Sequence, residues 1–226
     1  MKRLFAAALL TLLILPSCSA VTESETLDVS DFAYEWVFDY SEDMQLPELP
    51  NGCEATAAAT LARMNGEFVT KTEVADIMPR SSHDFVHAFL GNPYLETGWA
   101  TSAPCVTETL NRIFQTHERL AAIELTGTPI YKLPLPCMVW VSIDLKDNGK
   151  PKREQEGYVL FKNTHTVIVT NIHDVTVEVI DPLRGETSYP IHVFKGIYDN
   201  MGRQAVYISD INTISRMNRE RIENDI

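Results

Sequence analysis

Residues 50–64 read Pro50-Asn51-Gly52-Cys53-Glu54-Ala55-Thr56-Ala57-Ala58-Ala59-Thr60-Leu61-Ala62-Arg63-Met64, and this stretch governs how the rest of the chain is read. Alanine is the strongest helix former, so Cys53 to Met64 predicts a helix, with Asn65-Gly66 as its C-terminal stop. Cys53 then opens a helix directly behind a glycine. Unpaired N–H groups and a partial positive charge at that end favour a thiolate. Gly52 lets the backbone turn sharply and leaves the sulfur accessible. A lone cysteine is usually a buried structural residue; this position points to a nucleophile instead.

A thiolate catalyst needs a base. Of six histidines, His165 stands at the start of an apolar strand, Thr164-His165-Thr166-Val167-Ile168-Val169, where a ring is held rigidly. It lies far along the chain from Cys53, so the two meet only through folding. The imidazole needs an orienting acceptor, and Asp181 ends the next strand. If the hairpin turns through His173-Asp174-Val175, Ile172 faces Thr176 and Val167 faces Asp181. His165 and Asp181 then share a face, one diagonal apart. A two-residue turn at His173-Asp174 puts Asp181 on the opposite face, so the pairing demands a three-residue loop or a bulge. Asp before Pro is also ordinary turn chemistry. An oxyanion donor completes such a site. Gln45 precedes the cysteine, and Pro47 and Pro50 stiffen the path between them.

Around this constellation the chain reads as helices first and strands later. Residues 32–50 form an extended approach. Thr70-x-x-Glu73 is a capping box opening a second helix that Pro79 ends. Pro104 sits near the start of a third helix reaching about Thr116. Met138 to Ile143, Thr166 to Ile172, Val175 to Ile180 and Ala205 to Ser209 predict strands. The plan is α+β, an N-terminal helical part packed on a C-terminal antiparallel sheet. The domain covers residues 36–210, and a charged tail, helical or disordered, occupies 211–226.

The chain has 226 residues, 45% apolar and 22% charged, the composition of one globular domain. Its net charge is −12, from 19 basic and 31 acidic residues. With no Lys/Arg cluster, nucleic acid is excluded as the main partner, because phosphate binding needs cations. Met1-Lys2-Arg3 followed by the apolar run Leu4 to Pro16 predicts an export signal, too short to span a bilayer. Leu15-Pro16-Ser17-Cys18 resembles the bacterial lipoprotein box. Cys18 then becomes the lipidated first residue of a surface protein; ordinary cleavage after Ala20 gives a secreted one. Residues 1–18 form the leader and 19–35 an acidic tether.

The pieces together resemble the double-glycine-leader-peptidase-like family of papain-like cysteine peptidases. Gln45…Pro50-Asn51-Gly52-Cys53-Glu54 looks like its Gln…Pro-x-Gly-Cys-Glu segment. Cys137-Met138-Val139-Trp140-Val141 looks like its Pro-Val-hydrophobic-Trp strand. His165-Thr166-Val167-Ile168-Val169, Val177-Glu178-Val179-Ile180-Asp181-Pro182 and Gly202-Arg203-Gln204-Ala205-Val206 follow in family order, so the resemblance spans roughly residues 40–209. It implies a papain-like fold with Cys53 as nucleophile, His165 as general base then acid, Asp181 as orienter and Gln45 as oxyanion donor. The expected partner is a peptide or protein substrate, with no cofactor or metal; a monomer is expected, and the lipoprotein-box reading of Cys18 limits membrane contact to an N-terminal lipid anchor. Asn51 stands where Thr is frequent in transporter-fused relatives and Cys137 where Pro is frequent; neither touches the implied chemistry. Transmembrane and nucleotide-binding regions are missing from the sequence, so the export role of those relatives does not carry over.

Other readings compete. His83 and His87 stand at i and i+4, a near miss to the His-Glu-x-x-His zinc motif, with no third ligand evident. Cys105 and Cys137 either pair as a disulfide or remain two buried thiols. Trp99 and Trp140 read as core. The same machinery serves peptide hydrolysis, amide hydrolysis or acyl transfer, and a peptidase fold also serves as a non-catalytic binding module.

Overall fold

The computed structural model describes residues 44–115, 119–146 and 149–211. The leader with Cys18, the tether and the tail past 211 lie outside the described residues. In chain order the elements are α1 (Cys53–Met64), α2 (Lys71–Ile77), the two-residue strands β1 (Arg80–Ser81) and β2 (Phe89–Leu90), α3 (Ala103–Phe114) and β3 (Leu120–Glu124). There follow β4 (Cys137–Ser142), β5 (Arg153–Gln155), β6 (Tyr158–Leu160), β7 (Thr164–Ile172), β8 (Thr176–Asp181), β9 (Gly185–Pro190), α4 (Ile191–Asn200) and β10 (Ala205–Asp210). A six-stranded antiparallel sheet in the order β3-β10-β4-β7-β8-β9 forms the main body. The α+β expectation therefore holds.

The predicted helices form at the predicted places. α1 is buried continuously from Cys53 to Ala62. Its alanines are small enough to bring the helix backbone close to β7 and β4, and it closes with Asn65 N–H on Ala62 O and Gly66 at φ +84°. The capping box opens α2: Thr70 Oγ1 accepts from Glu73 N–H and Glu73 Oε2 accepts from Thr70 N–H. α3 carries Pro104 in its first turn and buries Cys105, Val106, Leu110 and Phe114. Trp140 is fully buried in the core.

Besides the short strands β1, β2, β5 and β6, three elements escape the sequence reading. β3 and β9 are the sheet's two edges, and β9 alternates exposed and half-buried residues in a stretch, Gly-Glu-Thr-Ser-Tyr-Pro, with little strand propensity. α4 contains Gly196 and β-branched residues that disfavour helix. Burial of Ile191, Phe194, Ile197 and Tyr198 along one stripe overrides that preference.

Cys105 and Cys137 are both buried free thiols, the unpaired one of the two alternatives. Each sulfur has its own setting. Cys137 Sγ, on β4, lies 3.4 Å from Val206 O on β10, whereas Cys105 packs inside α3 beside Thr101 and Thr109. Burial pushes both thiols up to about 12. The segment between β1 and β2 is a run of bends, so His83 and His87 do not share a helix face. His83 Nδ1 lies 2.6 Å from Ser82 Oγ, and His87 Nε2 lies 3.3 Å from Glu156. Among the described residues no cluster of three or more His, Cys, Asp or Glu side chains is arranged to hold a metal.

Candidate active site

The β7–β8 hairpin decides whether a histidine and an aspartate can meet. Its turn is His173 to Thr176, closed by His173 N–H on Thr176 O at 2.8 Å. It is one residue longer than expected, and pairs Ile172 with Val177 and Asn171 with Glu178. Continued down the ladder, that register would send Asp181 to the face opposite His165, because side chains alternate. A bulge between Val169 and Asn171 shifts the register by one, so Val169 faces Val179 and Ile168 faces Ile180. The shift restores the parity that pairing requires. His165 Nε2 lies 2.8 Å from Asp181 Oδ1, both side chains 3% exposed.

Asp181 is held from several sides. Leu183 N–H donates to Oδ1 at 2.8 Å, Tyr189 O–H reaches Oδ2 at 3.4 Å, and Arg184 Nε lies 3.9 Å from Oδ2. Arg184 also pairs with Asp144. Burial acts to raise the Asp181 pKa; the hydrogen bond and charge of His165, with Leu183 N–H and Tyr189, outweigh it and leave the carboxyl below its usual value. An ionised carboxylate therefore fixes the Nε2 side of the ring, which leaves Nδ1 as the edge for proton transfer.

Gln45 is tied to this corner through its backbone: its N–H donates to Pro182 O at 2.8 Å, one residue after Asp181. Its Nε2 donates to Pro50 O at 2.9 Å, and the side chain is buried. Asn51 N–H donates to Pro93 O at 3.2 Å and Asn51 Nδ2 to Leu95 O at 2.8 Å. The 91–98 loop thus braces the turn ahead of the cysteine. Gln45, the Pro50-Asn51-Gly52 turn and the Asp181-Pro182 strand end are joined by direct hydrogen bonds.

Cys53 departs from expectation in three respects. Gly52 adopts φ −113°, so no unusual conformation requires glycine there. What excludes a side chain is Leu49, whose Cβ lies 2.5 Å from where a Cβ on residue 52 would sit. Cys53 is buried, 6% exposed, rather than accessible. Its thiol donates to Glu54 Oε2 at 3.1 Å and makes no hydrogen bond to His165. Burial first, and then the Glu54 charge and hydrogen bond, push the thiol well above its ordinary pKa; Thr166, beside His165 on β7, acts more weakly the other way.

Glu54 is the residue that sequence reasoning missed. It is fully buried, and its Oε1 accepts from Thr101 N–H at 2.9 Å. Burial raises its pKa, opposed by Thr101 N–H, by the Cys53 thiol and, more weakly, by the charge of His165. Thr101 is fixed in turn: its O accepts from Trp140 Nε1 at 2.8 Å, and its hydroxyl reaches Phe85 O and Ala88 O. A carboxylate inside a run of alanine and threonine was the available signal. Gln204 plays a comparable supporting role. It accepts from Ala103 N–H and donates to Val159 O and Met201 O, tying the start of α3 to the sheet.

Residues 37–206 match the model of the Peptidase_C39 like family. No curated protein sequence matches the chain. Among solved structures, a protein assigned as a C39-like peptidase from Bacillus anthracis superposes with a TM-score of 0.62 at 21% identity, covering 74% of this chain and 92% of that one. A double glycine motif protease from an AMS/PCAT transporter, solved with a leader peptide, gives a TM-score of 0.47 at 15% identity, over 74% and 89% of the two chains. The superposition places the chain with the first of these in fold, and the match over three quarters of its length makes it a member of the Peptidase_C39 like family, whose activity is peptide-bond hydrolysis.

Proposed function

We propose that this chain is an exported cysteine peptidase that hydrolyses peptide or amide bonds with Cys53 as nucleophile. The observation that carries the reading is the buried 2.8 Å contact between His165 Nε2 and Asp181, with Gln45 bonded to the segments beside both Asp181 and Cys53. In turnover, Cys53 Sγ–H gives its proton to His165 Nδ1, and the sulfur attacks the scissile carbonyl. Asp181 keeps Nε2–H oriented and stabilises the imidazolium. Gln45 has two amide hydrogens; one is held by Pro50 O, and the other serves the oxyanion. His165 returns the proton to the leaving amine, and water releases the acyl group from the thioester.

The leader argues for export, with Cys18 as a lipid anchor; the substrate is then a peptide or protein met outside the cytoplasm. The decisive experiment is acyl-enzyme trapping: the protein is quenched in acid during turnover of a peptide thioester and digested for mass spectrometry. An acyl adduct on Cys53, absent from Cys53→Ala, supports the reading. An adduct elsewhere, or hydrolysis with no adduct and full activity in Cys53→Ala, overturns it.

A further inference from the structure

The nucleophile proposed above is not poised in this structure. Its thiol is 3.1 Å from Glu54 Oε2, and Glu54 is itself locked by Thr101 N–H, which Trp140 and the Phe85 and Ala88 carbonyls hold in place. Glu54 therefore has little freedom to leave, whereas a cysteine side chain needs only one χ1 rotation. Glu54 lies near enough to His165 to feel its charge, so thiol, carboxylate and imidazole share one pocket.

Resting on the peptidase reading, we propose that Glu54 is a positioning residue that parks the Cys53 thiol in its protonated form, and that each turnover requires the side chain to rotate from Glu54 to His165. Between substrates, the hydrogen bond to a buried acceptor lowers the reactivity of the sulfur toward small electrophiles. The ionisable groups around the sulfur are Glu54 from its own helix, His165 from β7 with Asp181 of β8 behind it, and Cys105 from α3, which also feels Glu54. Glu54 is the one that opposes a negative sulfur at hydrogen-bond distance. A glutamine there keeps an acceptor for Thr101 N–H and removes the charge.

The test is the pH profile of iodoacetamide alkylation at Cys53, read by peptide mass spectrometry in the full chain and in Glu54→Gln. The expected result is a midpoint lower by about one pH unit or more in Glu54→Gln, with labelling at neutral pH faster by about tenfold. An unchanged or higher midpoint overturns the proposal. Should Glu54→Gln fail to fold, the unmodified protein still decides. Its infrared spectrum minus that of Cys53→Ala should contain an S–H stretching band at neutral pH, displaced to lower wavenumber by hydrogen bonding. No S–H band, or one at the position of a free thiol, overturns it. The two readings fail separately. An unshifted midpoint with hydrolysis still lost in Cys53→Ala removes the parked state alone; a shifted midpoint with hydrolysis intact in Cys53→Ala removes the peptidase reading alone.

Discussion

His165 Nε2 and Asp181 Oδ1 lie 2.8 Å apart because a bulge between Val169 and Asn171 offsets a turn one residue too long. Two irregularities of the backbone cancel, and the cancellation puts an imidazole and a carboxylate on the same face of adjacent strands. Without the bulge the strands would still pair, yet Asp181 would point away.

Asp181→Asn should reveal how much that charge does. The amide keeps an acceptor for Leu183 N–H but no longer stabilises an imidazolium. Peptide hydrolysis is expected to fall by about a hundredfold or more, measured as kcat/KM. Folding stability at pH 7 should drop by about 1.5–3 kcal/mol, the worth of a hydrogen bond to a charged group. The folded pKa of Asp181 is depressed, so its contribution is fully present above the unfolded value of about 3.9 and fades as pH falls through the lower folded value. Urea titrations of both proteins should therefore converge in acid below about pH 4.

Glu54 carries the opposite sign. Its folded pKa is raised by burial, so the ionised unfolded state is favoured increasingly as pH rises above about 4.3. Glu54→Gln should melt above the parent protein at neutral pH, and the gap should shrink towards pH 4. Calorimetric melting curves across that range check the direction; a gap that widens in acid contradicts it.

Gly52→Ala is expected to destabilise the fold by about 1–3 kcal/mol through overpacking. The new methyl would meet Leu49 Cβ at 2.5 Å, next to the backbone, where no flexible end can move aside. Denaturant unfolding checks the loss. A neutral result would mean that the 49–52 turn shifts freely, and then the path from Gln45 to Cys53 is not rigid.

Cys105 and Cys137 should appear as unlinked peptides when the unreduced protein is digested under alkylating, denaturing conditions. A Cys105–Cys137 crosslinked peptide contradicts the separate burial of the two sulfurs.

Much of this was legible in the sequence, because local rules and global fold agree over the relevant stretches. Thr70 and Glu73 specify a helix start by direct hydrogen bonds, and the alanine run over 55–62 specifies a buried helix. The parity of the β7–β8 register was readable as a requirement, whereas the bulge that meets it was not, since no residue type marks a bulge at Thr170. α4 was hidden because its helix is imposed by burial against local preference. The state of Cys53 was misread for a comparable reason. Its place at a helix start is a local signal, but burial and the placement of the Glu54 carboxylate are set by tertiary packing, and both raise the thiol. Glu54 became meaningful only when Thr101 and Trp140, from distant segments, were seen to hold it.

The central claim is that the sulfur of Cys53 performs the chemistry with the help of His165. It is tested most directly by profiling a diverse peptide library with the parent protein, Cys53→Ala and His165→Ala side by side. The account predicts cleavage by the parent, none by Cys53→Ala, and a loss of about 10²–10⁴-fold in His165→Ala. Cleavage that survives in Cys53→Ala, or a library left intact by all three proteins, would contradict it.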